Sequence, residues 1–284
     1  MTRPANTGDL AGKVAVVTGG AGVLCTVFCK ALAENGASVA ILDRALDKAE
    51  ALAAEINTQG GSAFAVKVDV LDKDSLIEAK DAVIERFGGI DILVNGAGGN
   101  NPRATTDSEY MTPEGFELPF GDKSFFSLKP EDISFVFDLN FLGTFLPTQV
   151  FAAEMSGREA VIINISSMNA YRPLTKIPAY SAAKSAVSNL TMWLAVHFSK
   201  VGIRVNAIAP GFFVTDQNRS LLYNADGTPT ERTGKILAAT PMGRFGEPSE
   251  LAGTLLFLCD PKRSGFINGA VIPVDGGFSA YSGV

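Results

Sequence analysis

The chain is poor in the residues on which metal and disulfide chemistry depend. Its 284 residues include one histidine, His197, and three cysteines, Cys25, Cys29 and Cys259. A single imidazole excludes a multi-histidine metal site and any catalytic scheme that needs two imidazoles. Three cysteines without a C-x-x-C pair provide no disulfide framework, so we expect reduced thiols packed in a core. No metal site is predicted.

Basic clusters and long apolar runs are also missing. The formal net charge is -6 and no basic run exceeds a couple of residues, which argues against nucleic acid or an anionic membrane as the main partner. No apolar run reaches membrane-spanning length, and residues 1–10 lack the apolar segment of a signal peptide. We therefore expect a soluble, cytoplasmic protein.

The residues that are abundant favour a single α/β domain. A hydrophobic content of 46% and 29 glycines suit a buried sheet with many tight turns. Apolar strands alternate with helices and no linker divides them, which predicts a single-domain Rossmann fold with a doubly wound, seven-stranded parallel sheet and helices on both faces. The predicted strands are 13–18, 38–43, 63–68, 90–94, 160–165, 203–208 and 269–274, and the predicted helices are 23–35, 46–59, 72–87, 131–155, 178–201 and 248–259.

The first strand–helix–strand unit has the pattern of a nucleotide-binding unit. A glycine loop at 19–22 joins the first strand to its helix, and the second strand ends at Asp43, 21 residues beyond Gly22. The glycines let the backbone approach a diphosphate at the helix N-terminus, and the acid accepts the ribose hydroxyls. The unit therefore predicts a dinucleotide site.

Two segments lack periodicity, 100–130 and 212–240. The first contains Phe116, Phe120, Phe125 and Phe126, which should seek burial. An irregular segment of this length inside a compact domain is typically functional. We interpret 100–130 as an insertion near the substrate mouth, either a lid or an oligomer contact, and 212–240 as an irregular segment beside it.

Ser167, Tyr180 and Lys184 form the candidate catalytic group. Ser167 follows a buried strand, and Tyr180 and Lys184 are four residues apart on a helix, so their side chains share one face. A phenol titrates near ~10, and a neighbouring cation lowers that pKa towards a useful value. A lone Y-x-x-x-K is usually an interfacial tyrosine and a surface lysine, so the interpretation depends on the surrounding motifs.

Those surrounding motifs are Thr18-Gly19, Asn95-Gly96-Ala97-Gly98, Asn140, Pro210-Gly211 and Thr215. Together with Ser167 and a tyrosine 13 positions later, they resemble the short-chain dehydrogenase/reductase family over essentially the whole chain. Two positions depart from the family pattern. Val23 and Cys25 stand where its T-G-x-x-x-G-x-G motif has later glycines, and Gly96 replaces the second asparagine of its N-N-A-G motif.

The resemblance implies an NAD(P)-dependent oxidoreductase with four catalytic residues. Tyr180 would exchange a proton with the substrate oxygen, and Lys184 would lower its pKa and hold the nicotinamide ribose. Ser167 would hydrogen-bond the substrate oxygen, and Asn140 would fix a water that relays the proton from Lys184. The implied coenzyme-binding residues are Gly19, Gly22, Val23, Leu24, Asp43, Arg44, Asp69, Val70, Asn95, Gly96, Ala97, Tyr180, Lys184, Pro210, Gly211, Phe213 and Thr215.

The choice of coenzyme depends on Asp43 and its neighbour. A carboxylate repels the 2′-phosphate of NADP, so Asp43 favours NAD, whereas Arg44 could pair with that phosphate if its side chain turned inwards. Asp69 and Val70 resemble the adenine-contacting pair of the family, although Asp69 could equally be a turn residue at the end of a strand.

Several strings resemble the sugar-acid branch of the family, the D-mannonate oxidoreductases (fructuronate reductases). They are 98–102, 165–170, 173–180 and the C-terminal 274–284. The implied substrate is D-mannonate/D-fructuronate; the alternatives are a polyol or gluconate-type dehydrogenase and a non-catalytic NAD-sensing regulator. Each basic candidate could also be an ordinary solvated charge. The candidate substrate-binding residues are Asn100, Asn101, Asn169, Arg172, Lys176 and Arg219.

A homotetramer is also implied by the resemblance. Its contacts would use the helix 178–201 and the C-terminal strand. Trp193 and His197 lie one turn apart on that helix and are predicted to be core or subunit-interface residues.

Overall fold

The computed structural model describes residues 9–117, 119–121, 123–215 and 219–283. The predictions for 1–10 and for the end of the C-terminal string therefore fall wholly or partly outside the described residues. Seven strands are present in this part of the chain. They are β1 Val14–Thr18, β2 Ser38–Asp43, β3 Ser62–Lys67, β4 Ile92–Asn95, β5 Ala160–Ile165, β6 Ile203–Pro210 and β7 Val271–Val274.

The strands form one sheet in the order β3-β2-β1-β4-β5-β6-β7, and every pair is parallel. The predicted doubly wound, seven-stranded parallel sheet is confirmed. The helices are α1 Val23–Glu34, α2 Leu46–Thr58, α3 Lys73–Phe87, α4 Pro130–Phe137, α5 Gly143–Phe151, α6 Pro178–His197, α7 Arg219–Leu222, α8 Glu231–Ala238, α9 Glu250–Cys259 and α10 Pro261–Ser264.

The strands read as continuous apolar runs because both faces of the sheet are covered. Along β1, Ala15 and Val17 pack with α1, α2 and α9 on one face. Val14 and Val16 pack with α3, α5 and α6 on the other. Successive strand residues point to opposite faces, so a strand between two helical layers needs an apolar residue at every position.

A crevice forms where the chain changes direction across the sheet. From β1 the chain builds β2 and β3 on one side, and it then returns to place β4 on the other side of β1. The strand ends stay level there, since Thr18 pairs with Asn95. Helices α1 and α3 thus leave a gap beyond the carboxyl ends of β1 and β4, the usual ligand position in an open α/β sheet.

The predicted helix 131–155 is interrupted in the structure. A π-helical turn at Asp138–Leu142 separates α4 from α5, and a 3₁₀ turn at Ala152–Glu154 follows. By length and composition alone, the whole stretch Pro130–Glu154 could cross a membrane, which corrects the expectation that no segment could. Half of its most apolar part is buried inside the protein, so these residues belong to the hydrophobic core beside the sheet.

The segment 212–240 was predicted to be irregular, and this is wrong for two parts of it. Helices α7 and α8 lie within it, and the Thr230 hydroxyl caps α8 by accepting a hydrogen bond from Thr233 N at 3.3 Å. Both helices are short, and the polar and glycine-containing sequence around them hides their periodicity. Residues 216–218 lie outside the described part of the chain.

The segment 100–130 contains three short 3₁₀ turns, at Pro102–Ala104, Pro113–Phe116 and Phe125–Ser127. Its phenylalanines do not find the predicted burial, because Phe116 is 62% exposed and Phe125 is 63% exposed. They contact one another instead, with the rings of Phe120 and Phe126 stacked at 4.7 Å. Among the described residues, no second layer covers these rings.

Trp193 and the cysteines differ in burial. Trp193 is 56% exposed and stacks on His197 with ring centroids 4.5 Å apart, so the prediction of a core position is wrong and the interface alternative stays a prediction. Cys25, Cys29 and Cys259 are free and buried, as expected.

Candidate active site

The proposed catalytic side chains meet beyond the carboxyl end of β5. Ser167 lies two residues after the strand, and Pro178, at the first position of α6, starts the helix that carries Tyr180 and Lys184. The Tyr180 hydroxyl is hydrogen-bonded to the Ser167 side chain. The Lys184 Nζ donates to Ile165 O at 2.8 Å and lies 5.7 Å from the centre of the Tyr180 ring. The predicted grouping of serine, tyrosine and lysine is therefore present in the fold.

Burial controls the protonation of this group. It raises the pKa of Tyr180 above its ordinary value, and the Ser167 hydrogen bond offsets only part of the rise. Burial also lowers the pKa of Lys184 from 10.5 to about 8. The expectation that Lys184 brings down the pKa of Tyr180 is not met in this structure, because desolvation of the phenolate outweighs the stabilising effect of nearby groups.

Asn140 is fully buried in the π-helical turn between α4 and α5. Its Nδ2 donates to Gly99 O at 2.7 Å and to Val136 O at 2.8 Å, and its Oδ1 accepts from Gly99 N at 3.1 Å. The side chain thus fixes the loop after β4. Few of its hydrogen-bonding positions remain for the predicted water.

Gly98 has to be a glycine for this arrangement to fit. A Cβ at this position would lie 2.7 Å from Asn140 Oδ1 and 3.2 Å from Lys184 Nζ. The second glycine loop therefore passes directly over two of the four predicted catalytic side chains, and all four are brought together.

A chain of buried polar groups connects Asn140 to α6, and sequence reasoning missed it. Only Asn164 gave a signal, as an amide inside the apolar run of β5. The Thr144 hydroxyl donates to Asn140 O, and the Thr148 hydroxyl donates to the Thr144 carbonyl. Asn95 Nδ2 donates to Thr148 Oγ1 and to Asn164 Oδ1, and Asn164 Nδ2 donates to Thr191 Oγ1, all at 2.8–2.9 Å. Asn95 Nδ2 is committed here, whereas Asn95 Oδ1 is buried without a hydrogen-bond partner among the described residues.

The first glycine loop leaves space for a diphosphate. Gly19 has a φ of +62°, and a Cβ there would lie 2.8 Å from Ala97 Cα. Only glycine therefore fits where the first glycine loop meets the loop after β4. Gly22 precedes α1 without a side-chain cap, and the first helical bond runs from Thr26 N to Gly22 O. The N–H groups of the first turn have no intrahelical acceptor, so those of Val23 and Leu24 could hold an anion.

Asp43 connects the end of β2 to this loop. Its carboxylate accepts from Ala21 N at 3.1 Å and from Ala45 N at 2.9 Å. A carboxylate offers about four lone-pair positions, so it can also accept ribose hydroxyls. The adjacent Arg44 is exposed.

Two further predicted coenzyme residues lie after β3. The Asp69 carboxylate accepts from Leu71 N at 3.0 Å, which is the turn role given above as the alternative. Val70 is buried and packs near Gly143 at the start of α5. Contact of this pair with an adenine stays a prediction.

The coenzyme candidates after β6 are held against β7. Gly211 N donates to Val274 O at 2.9 Å, and a Cβ on Gly211 would lie 2.6 Å from Asp275 Cα. Phe213 is buried and bridges to Gly246. This packing fixes the path of Pro210 to Thr215 at the carboxyl edge of the sheet.

The predicted substrate residues divide into two groups. Asn169 lies beside the catalytic serine, since its backbone N–H donates to Ser167 Oγ at 3.2 Å, and its side chain is buried. Asn100 and Asn101 instead serve their own loop, donating to Thr105 Oγ1 and accepting from Arg103 N. Arg172 and Arg219 are exposed.

Lys176 lies between the catalytic serine and tyrosine in an uncommon conformation. Its φ is +71°, a backbone conformation that residues other than glycine rarely adopt. The Lys176 carbonyl accepts from Thr106 N at 2.9 Å, so the insertion 100–130 holds this backbone in place. Arg244, another cation at this sheet edge, is engaged by both carboxylate oxygens of Glu250 at 2.7 Å.

The described residues contain no group of three or more side chains that could hold a metal ion. The site thus consists of a glycine-lined cleft and a buried acid–base group.

Comparison with known proteins identifies the family. Residues 13–225 match the short chain dehydrogenase family. An uncharacterized oxidoreductase from Haemophilus influenzae is 56% identical over 277 residues, which cover 97% of this chain and 96% of that protein. A crystal structure from the same genus, named provisionally as a D-mannonate oxidoreductase and holding NAD, has a TM-score of 0.92 and 56% identity, with 99% and 98% of the two chains covered.

A more distant structure shares the fold. The gluconate 5-dehydrogenase from Burkholderia cenocepacia, in complex with NADP and tartrate, has a TM-score of 0.80 and 32% identity, with 96% and 97% of the two chains covered. The predicted family, enzyme class and nicotinamide coenzyme are confirmed. This chain belongs to the short chain dehydrogenase family and is an NAD(P)-dependent oxidoreductase.

Proposed function

We propose that this enzyme transfers a hydride between NAD and a secondary alcohol or ketone of a sugar acid, with D-mannonate/D-fructuronate as the substrate pair. The observation that carries the reaction type is the buried Ser167–Tyr180–Lys184 group at the carboxyl end of β5. The Haemophilus structure named provisionally as a D-mannonate oxidoreductase supports this substrate, because it is 56% identical to this chain over nearly the whole length.

The residues of the cleft fit a dinucleotide. Gly19 and Gly22 give a backbone surface without side chains, the first turn of α1 offers free N–H groups, and Asp43 stands at the end of β2. When bound, the nicotinamide accepts or provides the hydride. The chain itself has to bind and orient both partners and move one proton.

Tyr180 is suited to the role of proton donor. Its raised pKa keeps the phenol protonated at neutral pH, so it can protonate the oxygen of a ketone as hydride arrives at the carbon. The Ser167 hydroxyl contacts the phenol oxygen and can donate to the same substrate oxygen as negative charge develops there.

Lys184 is suited to resupply that proton. With a pKa of about 8, its ammonium can both lose and regain a proton near neutral pH, which is the condition for efficient proton transfer. Asn140 positions the loop beside Lys184 through its bonds to Gly99, and the water that would connect the lysine to solvent stays a prediction.

Asp43 supports NAD over NADP. Its carboxylate is fixed by Ala21 N and Ala45 N, so the negative charge cannot swing away from a 2′-phosphate. Like charges held close together repel strongly when partly desolvated. Arg44 is exposed beside it and is the group through which NADP would be accommodated.

The segment between Ser167 and Tyr180 supports an anionic, hydroxyl-rich substrate. Asn169 places an amide beside the catalytic serine, and Arg172 and Lys176 place cations on the same short segment. Cations bind carboxylates and amides bind hydroxyl groups. A gluconate-type substrate is the second candidate, favoured by the tartrate and gluconate 5-dehydrogenase activity named for the Burkholderia relative.

A substrate panel tests the proposal. NAD- and NADP-linked oxidation should be measured with D-mannonate, D-gluconate, D-altronate and neutral polyols. We expect the highest kcat/KM for D-mannonate with NAD. Activity confined to neutral polyols would exclude a sugar-acid substrate, and the absence of turnover with every compound, despite NAD binding, would favour a non-catalytic regulator.

A cytoplasmic homotetramer is part of the proposal. Met192, Trp193 and Val196 are exposed on α6 and provide an apolar surface of the kind that subunit contacts bury. Sedimentation velocity of the wild type and of Trp193→Ser tests this. A monomeric wild type at micromolar concentration would contradict it.

A further inference from the structure

The two departures from the family motifs lie against each other. Cys25 occupies the last glycine position of the T-G-x-x-x-G-x-G motif, and Gly96 occupies the second asparagine position of N-N-A-G. A Cβ built on Gly96 would lie 2.2 Å from the Cys25 Sγ. The thiol therefore fills the space that a side chain at position 96 would need.

Cys25 acts here through its volume. It lies in the first turn of α1 and is only 4% exposed, and burial raises the pKa of its thiol to about 12. The thiol is thus neutral at physiological pH and has no nucleophilic role. Gly96 is fixed on its other side, because its N–H donates to Thr18 Oγ1 at 3.2 Å.

We propose that Cys25 and Gly96 are a compensating exchange of size that positions the first turn of α1 above the loop after β4. In the family pattern the small residue is on the helix and the larger one is on the loop; here the sizes are reversed. The pair would set the distance between the α1 N-terminus and the second glycine loop. It is a positioning pair, since neither side chain has to touch the coenzyme.

The consequence for coenzyme binding follows from the place of the contact. The amides of Val23 and Leu24 precede Cys25 directly, and they are the groups proposed to hold the diphosphate. A side chain at position 96 would push the thiol, and with it this turn, away from the loop. The inference rests on the diphosphate position in the proposed function, and it does not depend on the substrate.

A second close contact determines how the test is designed. The Thr18 carbonyl oxygen lies 2.8 Å from the same built Cβ, whereas the Cys25 Cβ lies 3.7 Å away, an ordinary van der Waals distance. Removing only the sulfur, in Cys25→Ala, should therefore relieve the larger conflict. The contact with Thr18 is the same in both backgrounds and cancels in a double-mutant cycle.

The experiment compares Gly96→Ala, Cys25→Ala and the double variant with the wild type. The readouts are the Tm of the coenzyme-free protein and the Kd for NAD by titration calorimetry. We expect Gly96→Ala to weaken NAD binding about tenfold and to lower the Tm. The Kd of the double variant for NAD should be within about threefold of the Kd of Cys25→Ala. Coupling of this size is typical of residues in contact.

Additive effects of the two substitutions on the Kd for NAD would overturn the proposal. Coupling in Tm without coupling in Kd would also overturn it, because packing alone would then explain the pair. If Gly96→Ala does not fold, the Cys25→Ala/Gly96→Ala protein decides: a folded double variant that binds NAD supports the proposal. A double variant that does not fold overturns it, because the Thr18 carbonyl alone would then exclude the side chain. NAD binding is measured directly, so an incorrect substrate assignment does not affect the result.

Discussion

The catalytic floor and the substrate mouth of this enzyme are built differently. The catalytic floor is the set of predicted catalytic residues, Asn140, Ser167, Tyr180 and Lys184, and the substrate mouth is the predicted one, the described residues of 100–130 and 212–240. In the floor, polar groups from three separate parts of the fold interact with one another or with the backbone of distant segments. In the mouth, most side-chain bonds are local and large aromatic residues are exposed. On the proposed function, the reaction would be determined by the fold, and the choice of substrate by segments that can change without disturbing that fold.

The largest expected effect separates the two regions at Tyr180. Tyr180→Phe removes the proton donor from the floor, and we expect kcat to fall by about 10³-fold while NAD binding is retained. Steady-state turnover and calorimetric titration with NAD measure the two effects. Tyr171→Phe is the matched control, because that exposed hydroxyl donates only to Val271 O at 2.7 Å. Near wild-type turnover of Tyr180→Phe would remove Tyr180 from its role.

The second prediction concerns stability of the floor. Because the Lys184 pKa is about 8 in the folded protein and 10.5 ordinarily, the unfolded chain binds more protons between these values. Stability therefore rises with pH across this window, by about 3 kcal/mol in all. In urea unfolding at pH 7 to 10, the stability of the wild type relative to that of Lys184→Met should increase with pH, because the variant lacks this titrating side chain. A difference that does not change with pH would contradict the buried, neutralised lysine.

The third prediction tests the coenzyme side of the cleft. Asp43→Ser removes the charge that repels a 2′-phosphate and weakens the bonds to the ribose, so the ratio of kcat/KM for NAD to that for NADP should fall roughly tenfold to a hundredfold. Arg44→Ala should do the opposite and reduce only the use of NADP. An unchanged ratio in Asp43→Ser would show that selectivity comes from elsewhere.

The smallest effect is expected in the mouth. Arg172 is exposed, and exposed ion pairs contribute about 0.2–1 kcal/mol, so Arg172→Ala should raise the KM for D-mannonate by roughly twofold to fivefold. The KM for a neutral polyol should not change. Arg263→Ala, which removes an exposed arginine paired with Asp9, provides the control. Equal increases for charged and neutral substrates would rule out carboxylate binding by Arg172.

The sequence predicted the floor well because its signals are local. The bounds of β2 and β5 match the predicted strands residue for residue, since each is a mostly apolar run between two helices. The tyrosine–lysine spacing needs only one helix. The predicted helix 72–87 begins one residue before α3, and Asp72 caps α3 by accepting from Asp74 N and Ser75 N.

What could not be predicted depends on contacts between distant parts of the chain. The rise in the Tyr180 pKa comes from burial by several elements, and no sequence spacing records it. The exposure of Phe116 and Phe125 depends on the absence of a covering layer, and α8 has only eight residues, too few for a clear period. The match between Cys25 and Gly96 joins positions 71 apart in the chain (96 − 25).

The buried amide chain through Asn95, Asn164 and Thr191 also protects the protein from misfolding. A shift of β5 by one residue would turn Asn164 to the opposite face of the sheet. The amides of Asn95 and Asn164 would then be buried without partners, at about 1–3 kcal/mol for each unsatisfied group. Apolar strands flanked by helices on both sides have few other features that distinguish the correct alignment from a slipped one. The polar chain therefore favours the strand alignment in which Ser167 follows β5 beside Tyr180.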